Sequence, residues 1–154
     1  MMNNFFTNKI GAFYPIDANG NKVAYINFQS LPAPAQVTFN VSVMAYDPKA
    51  PYQFHLLIYK DNYNKDSKKV DMYVTTNPAT IKINASNAIE GNLNSTNFSL
   101  TTDVFNADSG IHTYEAHIEL LDIQGNKLDD SKSWFLTRLQ QPIPPKIKKG
   151  GIVS

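Results

Sequence analysis

Cysteine is absent from this sequence of 154 residues, which excludes a disulfide frame and any thiolate metal site. A chain of about 150 residues can bury roughly 68–70% of its unfolded surface, so one core suffices without such a staple. No apolar run approaches the roughly 18–20 residues of a membrane span. An excess of one charge sign is also lacking, since 14 Lys and Arg face 13 Asp and Glu. That near-neutral balance argues against a phosphate-seeking nucleic-acid binder. Met1-Met2-Asn3-Asn4-Phe5-Phe6-Thr7-Asn8-Lys9 has no basic stretch leading into an apolar one, so a secretory signal is not expected. The expectation from these absences is a cytoplasmic or virion-borne domain with no membrane and no nucleic-acid partner.

What is present is a period of two. From Val37 onward, Val37, Phe39, Val41, Val43 and Ala45 alternate with Thr38, Asn40 and Ser42. Thr96 to Phe105 repeats the pattern with Phe98, Leu100, Thr102 and Val104 inward, and Thr113 to Asp122 with Tyr114, Ala116, Ile118 and Leu120 inward. Gln53 to Lys60 is apolar on both faces, which places it centrally in a sheet and adds Phe54, Leu56 and Ile58 to the core. Val70–Thr76, Ala79–Asn84 and Ser131–Leu139 are further short strands. Ile10–Tyr14 and Lys22–Phe28 flank Asp17-Ala18-Asn19-Gly20-Asn21 and read as a hairpin; Gln124-Gly125-Asn126 marks a second. Helical signal is confined to Asn84–Asn94, whose Asn, Ser and Gly suit a loop better. Eight or nine short strands with turn chemistry between them imply an all-β, two-sheet, mostly antiparallel sandwich.

The chain divides at residue 139. Residues 1–139 hold eleven basic and thirteen acidic residues, a formal −2, whereas 140–154 hold three lysines and no acid. Pro142, Pro144 and Pro145 favour an extended path for this tail. Its Ile143, Lys146, Ile147, Lys148 and Lys149 are the residues expected to meet a partner or a sheet edge.

Asp108-Ser109-Gly110-Ile111-His112-Thr113-Tyr114 opens the strongest strand and Asp122-Ile123-Gln124-Gly125-Asn126 closes it. This arrangement resembles the penultimate strand and last hairpin of immunoglobulin-like domains. The resemblance implies that the Tyr114 hydroxyl bonds back to the corner backbone. Trp134 lies on the last strand and the cysteine pair is missing, so an antibody-type domain is excluded. Most of residues 1–139 is similar in layout to small bacterial immunoglobulin-like sandwiches of firmicutes and their phages, which implies a fold rather than an activity.

Catalytic chemistry finds little footing. His112 and His117 are five apart and point to opposite faces of one strand, and His55 sits within an apolar strand as a hydrogen-bonded structural residue. Asn62-Tyr63-Asn64-Lys65-Asp66-Ser67 is shaped like a calcium loop, but its sixth position is Ser67 rather than Gly and its twelfth is Tyr73 rather than Glu. Glu115 and Glu119 share a strand face about 13 Å apart, too far to act on one glycosidic bond. Gly-x-Ser-x-Gly and the glycine-rich phosphate loops are missing. No enzyme, metal or cofactor is expected.

Tyrosines are the positive feature. Tyr46, Tyr52, Tyr59, Tyr63 and Tyr73 crowd residues 46–73, and a rigid ring with a polar tip suits sugars and protein surfaces alike. The sequence therefore predicts a non-catalytic protein-interaction or structural module, self-association included. A carbohydrate-binding module using Tyr46, Tyr52, Tyr63 and Tyr73 is the alternative, distinguished by at least two of those rings forming one exposed platform.

Overall fold

The computed structural model describes residues 6–47, 49–62, 65–76 and 94–141. Among the described residues ten strands run β1 (Lys9–Ile16), β2 (Tyr25–Phe28), β3 (Ala33–Ala35), β4 (Thr38–Tyr46), β5 (Tyr52–Lys60), β6 (Lys68–Thr76), β7 (Asn94–Thr101), β8 (Phe105–Ala107), β9 (His112–Asp122) and β10 (Lys127–Leu139), and the strand expected over Ala79–Asn84 lies outside them. They pair as β1-β4-β7, as β2-β10-β9-β5-β6, and as the short couple β3-β8. All pairings are antiparallel except β2 with β10. This is an immunoglobulin-like β-sandwich.

Alternation in sequence becomes layering in space. Phe39, Val41 and Val43 from β4 meet Phe54, Leu56 and Ile58 from β5, with Leu100 from β7 and Tyr114, Ala116, Ile118 and Leu120 from β9 completing the core. Each of these eleven expected core residues is buried. Aromatic contacts tie the sheets together: Phe39 of β4 meets Phe135 of β10 edge to face at 6.2 Å, and Phe98 of β7 lies 5.1 Å from Phe54 of β5. The β5 strand, apolar on both faces, is flanked by β9 and β6 as its composition requires.

Two identical turns shape the ends of the sandwich. Asp17 Oδ1 accepts from the amides of Asn19 and Asn21, and Asp122 Oδ1 accepts from those of Gln124 and Asn126. Gly20 and Gly125 occupy the left-handed region at φ 82° and 89°. The second turn closes the β9–β10 hairpin. The first does not close one: after the Ile16–Lys22 bridge the chain leaves β1, and β2 joins β10 in the other sheet. The physical reason is burial, because beside β10 Ile26 and Phe28 pack against the core. Asp129 then links the two sheets on this side, its Oδ2 accepting the Ile10 amide at 2.8 Å.

The single strand expected over Thr96–Phe105 is interrupted. Thr102 is buried and exchanges two hydrogen bonds with Val37, through its own amide and through Oγ1. That anchor ends β7 and turns Val104 outward, so Val104 is surface rather than core. Tyr114 is buried, yet its hydroxyl makes no hydrogen bond to the corner backbone; its polar neighbour is the equally unpaired Thr137 hydroxyl. The expected tyrosine corner is not formed.

Candidate functional site

The outer face of the five-stranded sheet carries the chemistry. On β5, His55 points away from the core into a row formed with Tyr73 of β6 and Glu119 of β9. Its Nδ1 lies 2.8 Å from Glu119 Oε1 and its Nε2 2.6 Å from Asp71 Oδ1. The Tyr73 ring stacks parallel on the imidazole at 4.1 Å. The hydrogen bond from His55, reinforced by one from Lys68, holds the Asp71 carboxyl below the usual carboxylate range. Both imidazole nitrogens face carboxylate acceptors, so neither is left to serve as a base toward substrate. The cluster clamps three strands together.

A second polar cluster forms where β5 ends and β9 begins. Lys60 Nζ donates to Asp108 at 2.7 Å, and Lys69 lies 3.3 Å from the same carboxylate. The Lys60 contact holds Asp108 below its ordinary range, and Asp108 in turn raises Lys60. Partial burial pushes Asp61 up, but bonds from His112 and from the Thr113 amide outweigh it and the net direction is down. His112 Nε2 meets the Ser109 carbonyl at 2.8 Å. Here again both imidazole nitrogens face acceptors, and no hydroxyl is hydrogen-bonded to the ring in the manner of an activated nucleophile. Among the described residues, no group of three or more His, Asp or Glu is arranged to hold a metal ion.

The tyrosines singled out by sequence separate in space. Tyr46 and Tyr52 are core residues, 3% and 7% exposed, packed edge to face at 6.2 Å. The cause is a bulge: Ala45 adopts φ 55°, the β4–β7 register shifts between Val43 and Tyr46, and the ring that should alternate outward turns in. Tyr52 spends its hydroxyl internally, accepting from the Asp47 amide and donating to Asn8 Oδ1. Burial raises the phenol of both residues. Of the three proposed ligand-binding rings among the described residues, only Tyr73 is displayed on the surface, 61% exposed against His55; Tyr63 lies outside the described residues. The tail positions Ile143, Lys146, Ile147, Lys148 and Lys149 lie outside them as well.

A different aromatic patch emerges instead. On β10, Ser133, Phe135 and Thr137 are buried while Trp134, Leu136 and Arg138 face outward, and Trp134 is 62% exposed. The parallel pairing of β2 with β10 sets Tyr25 opposite Leu136, where the Arg138 guanidinium lies 4.2 Å from the tyrosine ring centre and its Nε donates to Asn27. Lys132 and Glu115 border the patch. Alternation over Ser131–Leu139 could have indicated the outward trio, but Tyr25 could join it only through the parallel pairing. A cleft of about 930 Å³ opens at the same end, between the Asp17–Gly20 turn, β2 and the start of β4.

No family model and no characterised protein sequence matches the chain. Solved structures do. A bacterial adhesin from Mobiluncus mulieris, described as containing intramolecular disulfide, isopeptide and ester cross-links, is similar over 86% of this chain at 8% identity and a TM-score of 0.58. The chain spans 58% of the length of that adhesin structure. The CooA pilin subunit of enterotoxigenic Escherichia coli is similar over 84% of this chain and 99% of its own, at 7% identity and a TM-score of 0.41. The first of these supports the sandwich fold.

Proposed function

We propose that the chain is a non-catalytic interaction module that binds a protein through the outer face of its five-stranded sheet. The observation that carries this reading is the exposed Trp134, grouped with Leu136, Tyr25 and Arg138 on a face that no described element covers. Trp, Tyr and Arg are the side chains that dominate binding energy at protein interfaces, and they do so when grouped in a patch with a polar rim. Lys132 and Glu115 supply that rim. The histidine clamps support the reading in another way, because they stiffen the sheet behind the patch and occupy both ring nitrogens of His55 and His112. The outer face of the three-stranded sheet presents Asn40, Ser42, Asn97 and Ser99, with Tyr14 under Lys22 and the half-exposed Met44 as its large side chains and no exposed Trp. Adhesin and pilin folds among the similar structures agree with a binding or structural role, and self-association falls within it.

A photo-crosslinking residue at position 132, placed in cells that encode the protein, tests the proposal. The expected result is a covalent protein adduct at position 132 that disappears when Trp134 is replaced by Ala and does not form from position 40 on the opposite sheet. Equal adducts from both positions, or adducts indifferent to Trp134, would overturn it.

A further inference from the structure

The cleft beside the Asp17 turn shares Tyr25 with that patch but otherwise lies apart from it, and its chemistry matches a segment of the same chain. We infer that the Pro- and Lys-rich sequence following Gln141 seats in this cleft of its own molecule.

Position is the first argument. β10 runs parallel to β2 and its path ends beside it, the Gln140 amide donating to the Phe28 carbonyl at 2.7 Å. Asn27 and Ile26, one and two residues back along β2, line the cleft. The sequence continues for thirteen residues past Gln141, and at about 3.1 Å per residue an extended path of about 40 Å is ample to cross it.

Complementarity is the second. Pro142, Pro144 and Pro145 favour a polyproline path, whose carbonyls have no internal donors and are read by aromatic grooves with side-chain amides. The cleft offers the half-exposed Tyr25 ring, braced by Arg138, and the Asn27 amide nitrogen, left open because its Oδ1 is taken by Arg138. Asp17 is the one acidic residue in the lining; its Oδ1 is held by the turn and its Oδ2 is available to an ammonium. The segment brings Lys146, Lys148 and Lys149 with no acid, and Ile143 and Ile147 to set against Ile16 and Val23. Seating this segment would cover one side of Tyr25 and leave Trp134 and Leu136, which do not line the cleft, uncovered.

The absence of native cysteine makes the test clean, because a nitroxide attached to Gly150→Cys labels one site in the full chain. The expected result is a selective loss of amide signal at Asn19, Asn27 and Gln36, unchanged on dilution, while Gln53 and Leu121 at the far end keep theirs. Asp17→Asn retains the turn acceptor and should weaken that loss. Uniform signal across the domain overturns the inference. So does a loss that appears only when nitroxide-labelled chains are mixed with separate isotope-labelled ones, because the occupant is then the tail of a second copy.

Discussion

Ile118 and Val41 are fully buried at the centre of the two facing sheets, so shortening either leaves a void the neighbours fill only in part. Replacing Ile118 by Ala is expected to cost about 2–4 kcal/mol in urea denaturation. A loss below about 0.5 kcal/mol, the range of surface substitutions, would remove it from the core. The carboxylates behave differently. Asp71, Asp61 and Asp108 are each held below their ordinary range, so each binds fewer protons in the folded state than in the unfolded one. Their contribution is complete above the unfolded carboxylate range near pH 4 and is lost as the pH falls through their lower folded values. Stability should therefore decline on acidification below about pH 5, and Asp71→Asn should flatten that decline. A variant as acid-sensitive as the parent would show that the His55 and Lys68 contacts do not stabilise the Asp71 anion.

The paired turns give the next test, at the level of elements. A Cβ on Gly20 or Gly125 would meet nothing within 4 Å, so any penalty for Ala is backbone strain at positive φ rather than a clash. Gly20→Ala and Gly125→Ala are each expected to cost about 1–2 kcal/mol by thermal or urea unfolding. Similar losses would show that the turn is specified locally, whether or not a hairpin follows; a loss at Gly125 alone would tie the strain to hairpin closure. This is also where the sequence was most and least informative. The Asp-x-x-Gly-Asn spacing announced both turns, because the aspartate and glycine act within five residues. It could not announce that β2 abandons β1, since that depends on space beside β10 more than a hundred residues away. The inward turn of Tyr46 was hidden for a related reason: a one-residue bulge at Ala45 reverses every alternation count beyond it. Trp134 was legible as a last-strand residue, and its exposure follows from the same parity that buries Phe135.

For the whole molecule, the sandwich provides two unequal outer faces and one stiff scaffold. The three-stranded sheet presents mainly amides and hydroxyls, with Tyr14 and Met44 among them. The five-stranded sheet combines the carboxylate-histidine cluster around His55 with an aromatic patch at its β2–β10 side. A surface of this kind concentrates binding energy in few residues, so the effect of truncation should be sharply local. The most direct measurement is the dissociation constant of the partner captured at position 132, determined for the parent, Trp134→Ala and Asn40→Ala. Loss of the Trp134 ring should weaken binding by about thirty-fold, equivalent to about 2 kcal/mol, with Asn40→Ala unchanged. Equal affinity for the parent and Trp134→Ala would contradict the assignment of this face as the binding surface.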